Sequence, residues 1–118
     1  MEKYDEKMII NLLNLKEGWL YGQGVPISED SVYIAITLGR ELNKDHKVEY
    51  IESFPAEMGE VILSIGIYNK NILNLIIKSE ENILISLENE KEIIDKGHSS
   101  LNNIINKINE EILKLNDM

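Results

Sequence analysis

Apolar residues recur every three or four positions in three parts of the chain, and this spacing marks the buried face of an α-helix. The first part predicts a helix from about Glu2 to Lys16, which Gly18 ends. The second part predicts a helix that has Ser28 as its N-cap and ends between Asn43 and His46.

The clearest helical pattern lies in the C-terminal part, where a stripe of apolar residues comprises Leu101, Ile104, Ile105, Ile108, Ile112 and Leu115. We expect Ser99 to be the N-cap of this helix, with Asp95 as the alternative. Packing on a sheet is our main interpretation of the stripe. Association of two copies as a homodimer is the alternative.

Between the second and third helices the apolar spacing changes to every second residue, which is typical of β-strands. The alternation predicts four strands, which extend from Val48 to Phe54, Val61 to Ile67, Leu73 to Ile77 and Ile83 to Leu87. In the first of them Val48, Tyr50 and Phe54 form the alternating set. The short connections favour antiparallel neighbours, because a parallel crossover needs a dozen or more residues.

The charged segment from Glu88 to Ser100 is expected to bridge the sheet and the last helix. The order of elements is then helix, helix, four-stranded antiparallel meander, helix. Grouped strands and helices of this kind indicate a single α+β domain over residues 1–118, with the helices packed on the sheet.

The second face of the predicted sheet is not uniformly polar. The apolar residues that point away from the main apolar row are Ile62, Tyr68, Ile72, Ile76 and Leu84. A meander with one solvated face shows polar residues there. We therefore expect either a helix on each face or a second face that meets another molecule.

The segment between the first two helices combines Trp19 and Tyr21 with glycines at positions 18, 22 and 24. Large aromatic side chains favour burial or a partner, whereas glycines permit positive φ and close backbone approach. One interpretation is that the two aromatic side chains close the core beside the first helix. The other is that they are contact residues for a partner, because aromatic residues are enriched at binding hot spots.

Composition limits the classes of function. The formal net charge of −9 would repel a phosphate backbone, so we expect no direct binding of nucleic acid. No apolar run reaches the roughly 20 residues that span a bilayer, and the first residues lack the pattern of a secretory signal. We expect a cytoplasmic, acidic protein that makes no contact with a membrane.

Patterns that favour catalysis or metal binding are few. The chain has no cysteine, and His46 and His98 lack the spacing of metal ligands. His98 precedes Ser99, but an activated nucleophile also needs an oriented base. Glu57 and Glu60 flank a turn, where glutamates are normally solvated. The loop glycines match neither phosphate-binding pattern. We therefore predict no catalytic residue, no metal site and no cofactor.

The loop and the second helix resemble a group of small uncharacterised bacterial proteins, in which a tryptophan with nearby glycines precedes Pro, Ser and an amphipathic helix. The residues that carry the resemblance are Trp19, Gly22, Gly24, Pro26, Ser28, Ala35, Leu38, Pro55 and Gly59. The group often has a second tryptophan after the turn at Gly59, where this chain has Ile65 or Gly66. The resemblance implies no particular activity.

These observations favour a non-enzymatic protein–protein interaction module, with inhibitor, antitoxin or phage anti-defence factor as specific versions. Its partner is predicted to be another protein, which the sequence does not identify. The candidate contact residues are Trp19, Tyr21, Ile62, Tyr68, Ile72, Ile76 and Leu84. The alternative is a small-ligand-binding or enzymatic domain with a pocket at the Trp19 loop.

Overall fold

The computed structural model of the chain describes residues 3–68, 70–89 and 92–116. Within these residues the fold is α+β, with helices α1 (Glu6–Asn11), α2 (Glu29–Asn43) and α3 (Ile104–Asn116) and strands β1 (Val48–Pro55), β2 (Val61–Ile67), β3 (Asn71–Ser79), β4 (Asn82–Glu88) and β5 (Ile93–Ser99). The strands form one antiparallel sheet in the order β1-β2-β3-β4-β5.

The prediction of four strands was wrong, because the segment expected to bridge the sheet and the last helix contains β5. This strand pairs with β4 from Ile83 opposite Ser99 to Glu88 opposite Ile93. Pairing satisfies backbone groups that the edge of β4 would otherwise expose. The β5 residues opposite the core positions Ile83 and Ile85 are Ser99 and Gly97, so the strand lacks the apolar alternation of its neighbours, although Ile94 packs against the core.

The start of α3 also differs from the prediction. Ser99 is the last residue of β5 and Asp95 lies inside that strand, so neither residue is an N-cap. A turn follows, in which the Leu101 backbone N–H donates to the Glu80 carbonyl at 2.6 Å. Helix α3 begins only at Ile104. The side chain of Leu115, part of the predicted stripe, lies outside the described residues.

Helix α1 is shorter than predicted. It begins at Glu6 with Asp5 as its N-cap, and a 3₁₀ turn over Leu12–Asn14 follows it. The residues before it lie beside β1 instead, since the Ile51 N–H donates to the Lys3 carbonyl at 2.8 Å. Glu2, the predicted first residue, lies outside the described residues.

Helix α2 confirms the prediction made from its cap. The Ser28 hydroxyl accepts from the Ser31 N–H at 3.3 Å, and the helix ends at Asn43. Gly39 lies against the Tyr4 ring, which an added Cβ would overlap. The absence of a side chain at Gly39 therefore permits close packing between α2 and Tyr4, which lies before α1.

A β-bulge reverses the predicted facing of β1. The register shifts between Val48 and Tyr50, so Val48 and Ile51 are buried in the core, whereas Tyr50 and Phe54 lie on the opposite face. An extra residue in a strand moves every following side chain to the other face.

The core lies on one face of the sheet only. Alternate residues of β2, β3 and β4 are fully buried there, including Leu63, Leu75 and Ile85. The three helices supply the opposite side of this core through Ile9 of α1, the inner face of α2, and the α3 residues Ile104, Ile108 and Ile112. No other core cluster is formed by the described residues, so the second face of the sheet has no layer above it.

Candidate functional site

The face of the sheet that points away from the helices is called the open face here. The strand register aligns its side chains in three cross-strand rows. The apolar row is Phe54, Ile62, Ile76, Leu84 and His98; the polar row is Glu52, Ser64, Asn74, Ser86 and Lys96; the mixed row is Tyr50, Gly66, Ile72, Glu88 and Ile93.

The apolar residues of this row lie on β1 to β4, with His98 at its β5 end, and they remain in contact with solvent. Ile62, Ile76 and Leu84 are half-buried by their strand neighbours alone, and Phe54 at the β1 edge is 45% exposed. Directly opposed side chains on neighbouring strands stabilise one another. Their outer surfaces, however, meet no helix in the described part of the chain. The row is therefore apolar surface that the domain itself does not cover.

The mixed row contains an aromatic side chain that lies over a glycine. The Tyr50 ring covers Gly66 so closely that an added Cβ would overlap it. Partial burial of the phenol raises the pKa of Tyr50, and the nearby charges of Glu52 and Glu49 add to the effect. The ring thus provides a flat apolar surface at the β1 edge.

The polar row carries opposite charges at its two ends. Glu52 lies on β1 and Lys96 on β5, and both side chains are exposed. At the centre of the sheet the Asn74 amide donates to a Glu88 carboxylate oxygen at 2.9 Å. The open face is therefore divided into an apolar band and a polar band whose charge changes sign across the sheet.

A shallow groove of about 530 Å³ lies over β3, β4 and β5 on this face. Residues of the apolar and polar rows line most of it, among them Ile76, Leu84, Ser86, Lys96 and His98. An apolar floor with polar groups at its margin is the usual arrangement of a protein interface.

The Trp19 loop is held by the protein itself. The Trp19 indole N–H donates to the Val25 carbonyl at 2.7 Å, and the ring lies where a Cβ on Gly24 would come within 2.8 Å of it. The loop also attaches to the turn between β1 and β2, because the Val25 N–H donates to the Glu57 carbonyl at 2.9 Å. Trp19 packs against the core, so its role here is to fix the loop.

Tyr21 has the opposite environment. Leu20 and Gln23 exchange two backbone hydrogen bonds, of 2.7 and 2.8 Å, and enclose Tyr21 and Gly22 in a two-residue hairpin. Both enclosed residues have positive φ, 51° and 88°, as a type I′ turn requires. Tyr21 is fully exposed, so a strained backbone presents an aromatic side chain to solvent.

The predicted contact residues therefore separate into groups. Ile62, Ile76 and Leu84 come together in the apolar row, and Ile72 lies in the mixed row of the same face. Tyr68, just beyond β2, packs against the core, as Trp19 does. Trp19 and Tyr21 therefore have different environments, and their role as contact residues stays a prediction.

Two residues of β1 that lie on the open face were missed from the sequence. Phe54 and Tyr50 were assigned to the inner set of β1, and the bulge places them on the open face. Ile51, a buried apolar residue between Tyr50 and Glu52, is the one sequence signal that disagrees with that assignment.

A second groove, of about 740 Å³, lies between α1 and the edge of β1. Its lining includes Tyr4, Met8, Ile51, Ser53 and Phe54. Trp19 lines neither this groove nor the one on the open face.

The residues considered for chemistry are dispersed. His98 lies on the open face, and the adjacent strand residue Ser99 donates its hydroxyl to the Ser100 carbonyl at 3.2 Å. Glu57 is exposed, whereas Glu60 forms an ion pair with Lys78 at 3.9 Å. Across the described ranges, no three His, Cys, Asp or Glu side chains lie close enough together to hold a metal ion.

The described helices are all too short or too polar to cross a membrane. No family model, curated protein or solved structure matches the chain. The resemblance carried by the Trp19 loop and the second helix stays a prediction.

Proposed function

We propose that the chain is a non-enzymatic protein-interaction domain and that the open face is its contact surface. The observation that carries this proposal is the apolar row, which runs from Phe54 on β1 to Leu84 on β4, ends at His98 on β5, and has no covering layer among the described residues. A partner that covers this row removes apolar surface from water, which stabilises the complex by about 25 cal/mol per Å² of apolar surface buried. Contiguous exposed apolar patches of this kind mark interaction sites on soluble proteins.

The composition of the face supports a protein as the bound molecule. Apolar contacts at its centre with polar and charged residues around them are the usual arrangement of protein interfaces. Glu52 and Glu88 lie on the same face, and the chain has a net charge of −9. Both features disfavour a nucleic acid.

The loop contributes in two ways. Trp19 fixes the loop internally, and the hydrogen bond from the Val25 N–H to the Glu57 carbonyl attaches it to the turn between β1 and β2. Tyr21 is a second contact residue, because it is exposed and is held in a strained turn that a glycine or asparagine would adopt more easily.

Inhibitor, antitoxin and phage anti-defence factor are specific forms of this function, since each acts by covering a surface of its target. The alternative, a ligand pocket at the Trp19 loop, loses support because the Trp19 ring occupies the space against Gly24 and neither groove reaches it.

The test uses a matched pair of surface variants. Ile62→Ser with Ile76→Ser removes apolar side chains from the open face, and Leu113→Ser removes an exposed apolar side chain from α3. Wild-type protein and both variants are used to capture binding proteins from a cell extract, and the captured protein is then purified for direct measurement of Kd.

We expect the open-face variant to weaken that complex at least tenfold and Leu113→Ser to leave it within twofold. Thermal unfolding verifies that both variants remain folded. Equal binding by the open-face variant and the wild type would refute the assignment of this surface.

A further inference from the structure

We infer that the open face binds a second copy of this chain, face to face, about a twofold axis that runs parallel to β3 between the two sheets. This inference rests on the proposed function, since it names the partner of the same surface. It follows from the register of the three rows and from the positions of the charges within them.

A twofold axis along the central strand places β1 of one copy over β5 of the other and leaves each row facing itself. Within the apolar row Ile62 then meets Leu84 of the second copy, and the two Ile76 side chains meet at the axis. Phe54 meets His98. Two sheets packed in this way have nearly aligned strands and interdigitating side chains.

The polar row becomes complementary in the same arrangement. Glu52 at one end lies opposite Lys96 of the second copy, and symmetry repeats the pair at the other end. Ser64 and Ser86 face each other between them, and the two Asn74 side chains lie at the axis. Opposite charges therefore meet twice in one interface.

The other way of stacking two such sheets produces repulsion. A twofold axis perpendicular to the strands places β1 over β1 and β5 over β5. Glu52 then lies opposite Glu52, and Lys96 opposite Lys96. Juxtaposed like charges disfavour that arrangement. The Glu52 and Lys96 charges thus favour the axis parallel to β3.

The size of the face suits a reversible dimer. Five strands about 4.8 Å apart, with three rows about 6.8 Å apart, form a surface of about 24 Å by 20 Å. Two such faces bury about 1,000 Å² when the sheets are treated as flat, without the additional surface of protruding side chains. This area is the lower bound of a specific interface. An interface of this size is expected to form a weak, reversible dimer.

Sedimentation velocity over about 5 to 500 µM protein measures the association directly. Glu52→Lys alone and Lys96→Glu alone each turn both charge pairs into like-charge contacts, and we expect about tenfold weaker dimerisation. Glu52 and Lys96 lie on opposite edges of the sheet and cannot pair within one copy. The double variant Glu52→Lys/Lys96→Glu therefore restores opposite charges only across the interface between two copies. Its Kd should return to within about threefold of the wild-type value.

Cross-linking tests the position of the axis, since the chain has no cysteine of its own. Ile76→Cys places two thiols opposite each other across sheets about 10 Å apart, within reach of a short bis-maleimide. Glu52→Cys is the control, because its two copies lie about 20 Å apart. We expect a cross-linked dimer from the first variant only.

A wild-type protein that stays monomeric over the whole concentration range overturns the inference, as does a dimer whose charge reversals are not rescued by the double variant. Cross-linking at position 52 but not at 76 also overturns it. If the protein is monomeric but its complex with a captured protein is lost in Ile62→Ser/Ile76→Ser, the proposed function stands without the dimer. If Ile62→Ser/Ile76→Ser changes neither self-association nor binding of the captured protein, both the dimer and the proposed function are refuted.

Discussion

Replacing Gly24 with alanine tests how the Trp19 loop is held. Gly24 has a φ of +91°, and an added Cβ would lie 2.8 Å from Cε2 and Nε1 of Trp19. The ring is fixed on its other side by the core and by the hydrogen bond to the Val25 carbonyl. The methyl group can therefore be accommodated only if the ring moves.

The expected cost has two parts. Alanine at positive φ costs about 1–2 kcal/mol. Displacing the ring loses its hydrogen bond, about 1 kcal/mol, and overpacks the contact by about 1–2 kcal/mol more. We expect Gly24→Ala to lower the free energy of unfolding by about 4 kcal/mol in total.

Gly22→Ala is the matched control. Gly22 has a similar φ of +88°, but nothing lies within 4 Å of its added Cβ. Its substitution should cost only the backbone part, about 1.5 kcal/mol. Urea unfolding followed by circular dichroism gives both values. Trp19 fluorescence is not used as the probe, because Gly24→Ala itself changes the environment of that ring.

The difference of about 2.5 kcal/mol between the two variants measures the Trp19 contact, and a double-mutant cycle with Trp19→Leu should reduce it below about 1 kcal/mol. Equal destabilisation by Gly22→Ala and Gly24→Ala would show that the ring does not pack on Gly24. The loop would then be available for the ligand-binding alternative.

Three further outcomes are expected. Tyr21→Asn should raise the free energy of unfolding by about 1 kcal/mol in urea titrations, because asparagine tolerates positive φ and the fully exposed ring loses no packing; a loss of stability would contradict the strain assigned to this turn. The hydrogen bond from Arg40 lowers the pKa of Glu6 below its ordinary 4.5, so the stability difference between wild type and Glu6→Gln should be complete above that pH and should disappear as the pH falls through the lowered pKa; a difference that persists in acid would exclude this ion pair as its source. The buried Ser31 hydroxyl donates to the Ile77 carbonyl at 3.0 Å, so Ser31→Ala should cost about 1–2 kcal/mol by calorimetry, and a neutral substitution would show that α2 and β3 do not depend on that bond.

Much of the architecture could be predicted from local pattern. The cap at Ser28 and the stripe that follows it predict α2, and the alternation from Val61 to Leu87 predicts three adjacent strands, because period and capping are properties of neighbouring residues. The open face was anticipated in part from Ile62, Ile76 and Leu84, which interrupt what would otherwise be a polar side.

The rest depended on contacts between distant residues. Helix α1 begins late because Lys3 pairs with Ile51 instead of continuing the helix. Strand β5 forms because the edge of β4 offers it backbone partners, although its own apolar pattern is weak. Neither contact leaves a periodic signal in the residues that make it.

The sequence by itself determined an α+β chain with a capped second helix and an antiparallel sheet. It also showed that the strands carry apolar residues on both faces of that sheet. The tertiary structure decided which face the helices cover, that a bulge at Val48 and Tyr50 turns Phe54 outward, and that Trp19 is packed whereas Tyr21 is exposed. The physical reason is that periodicity reports which side chains share a face of one element. Which face is then covered depends on how whole elements pack, and on backbone hydrogen bonds between residues far apart in the chain.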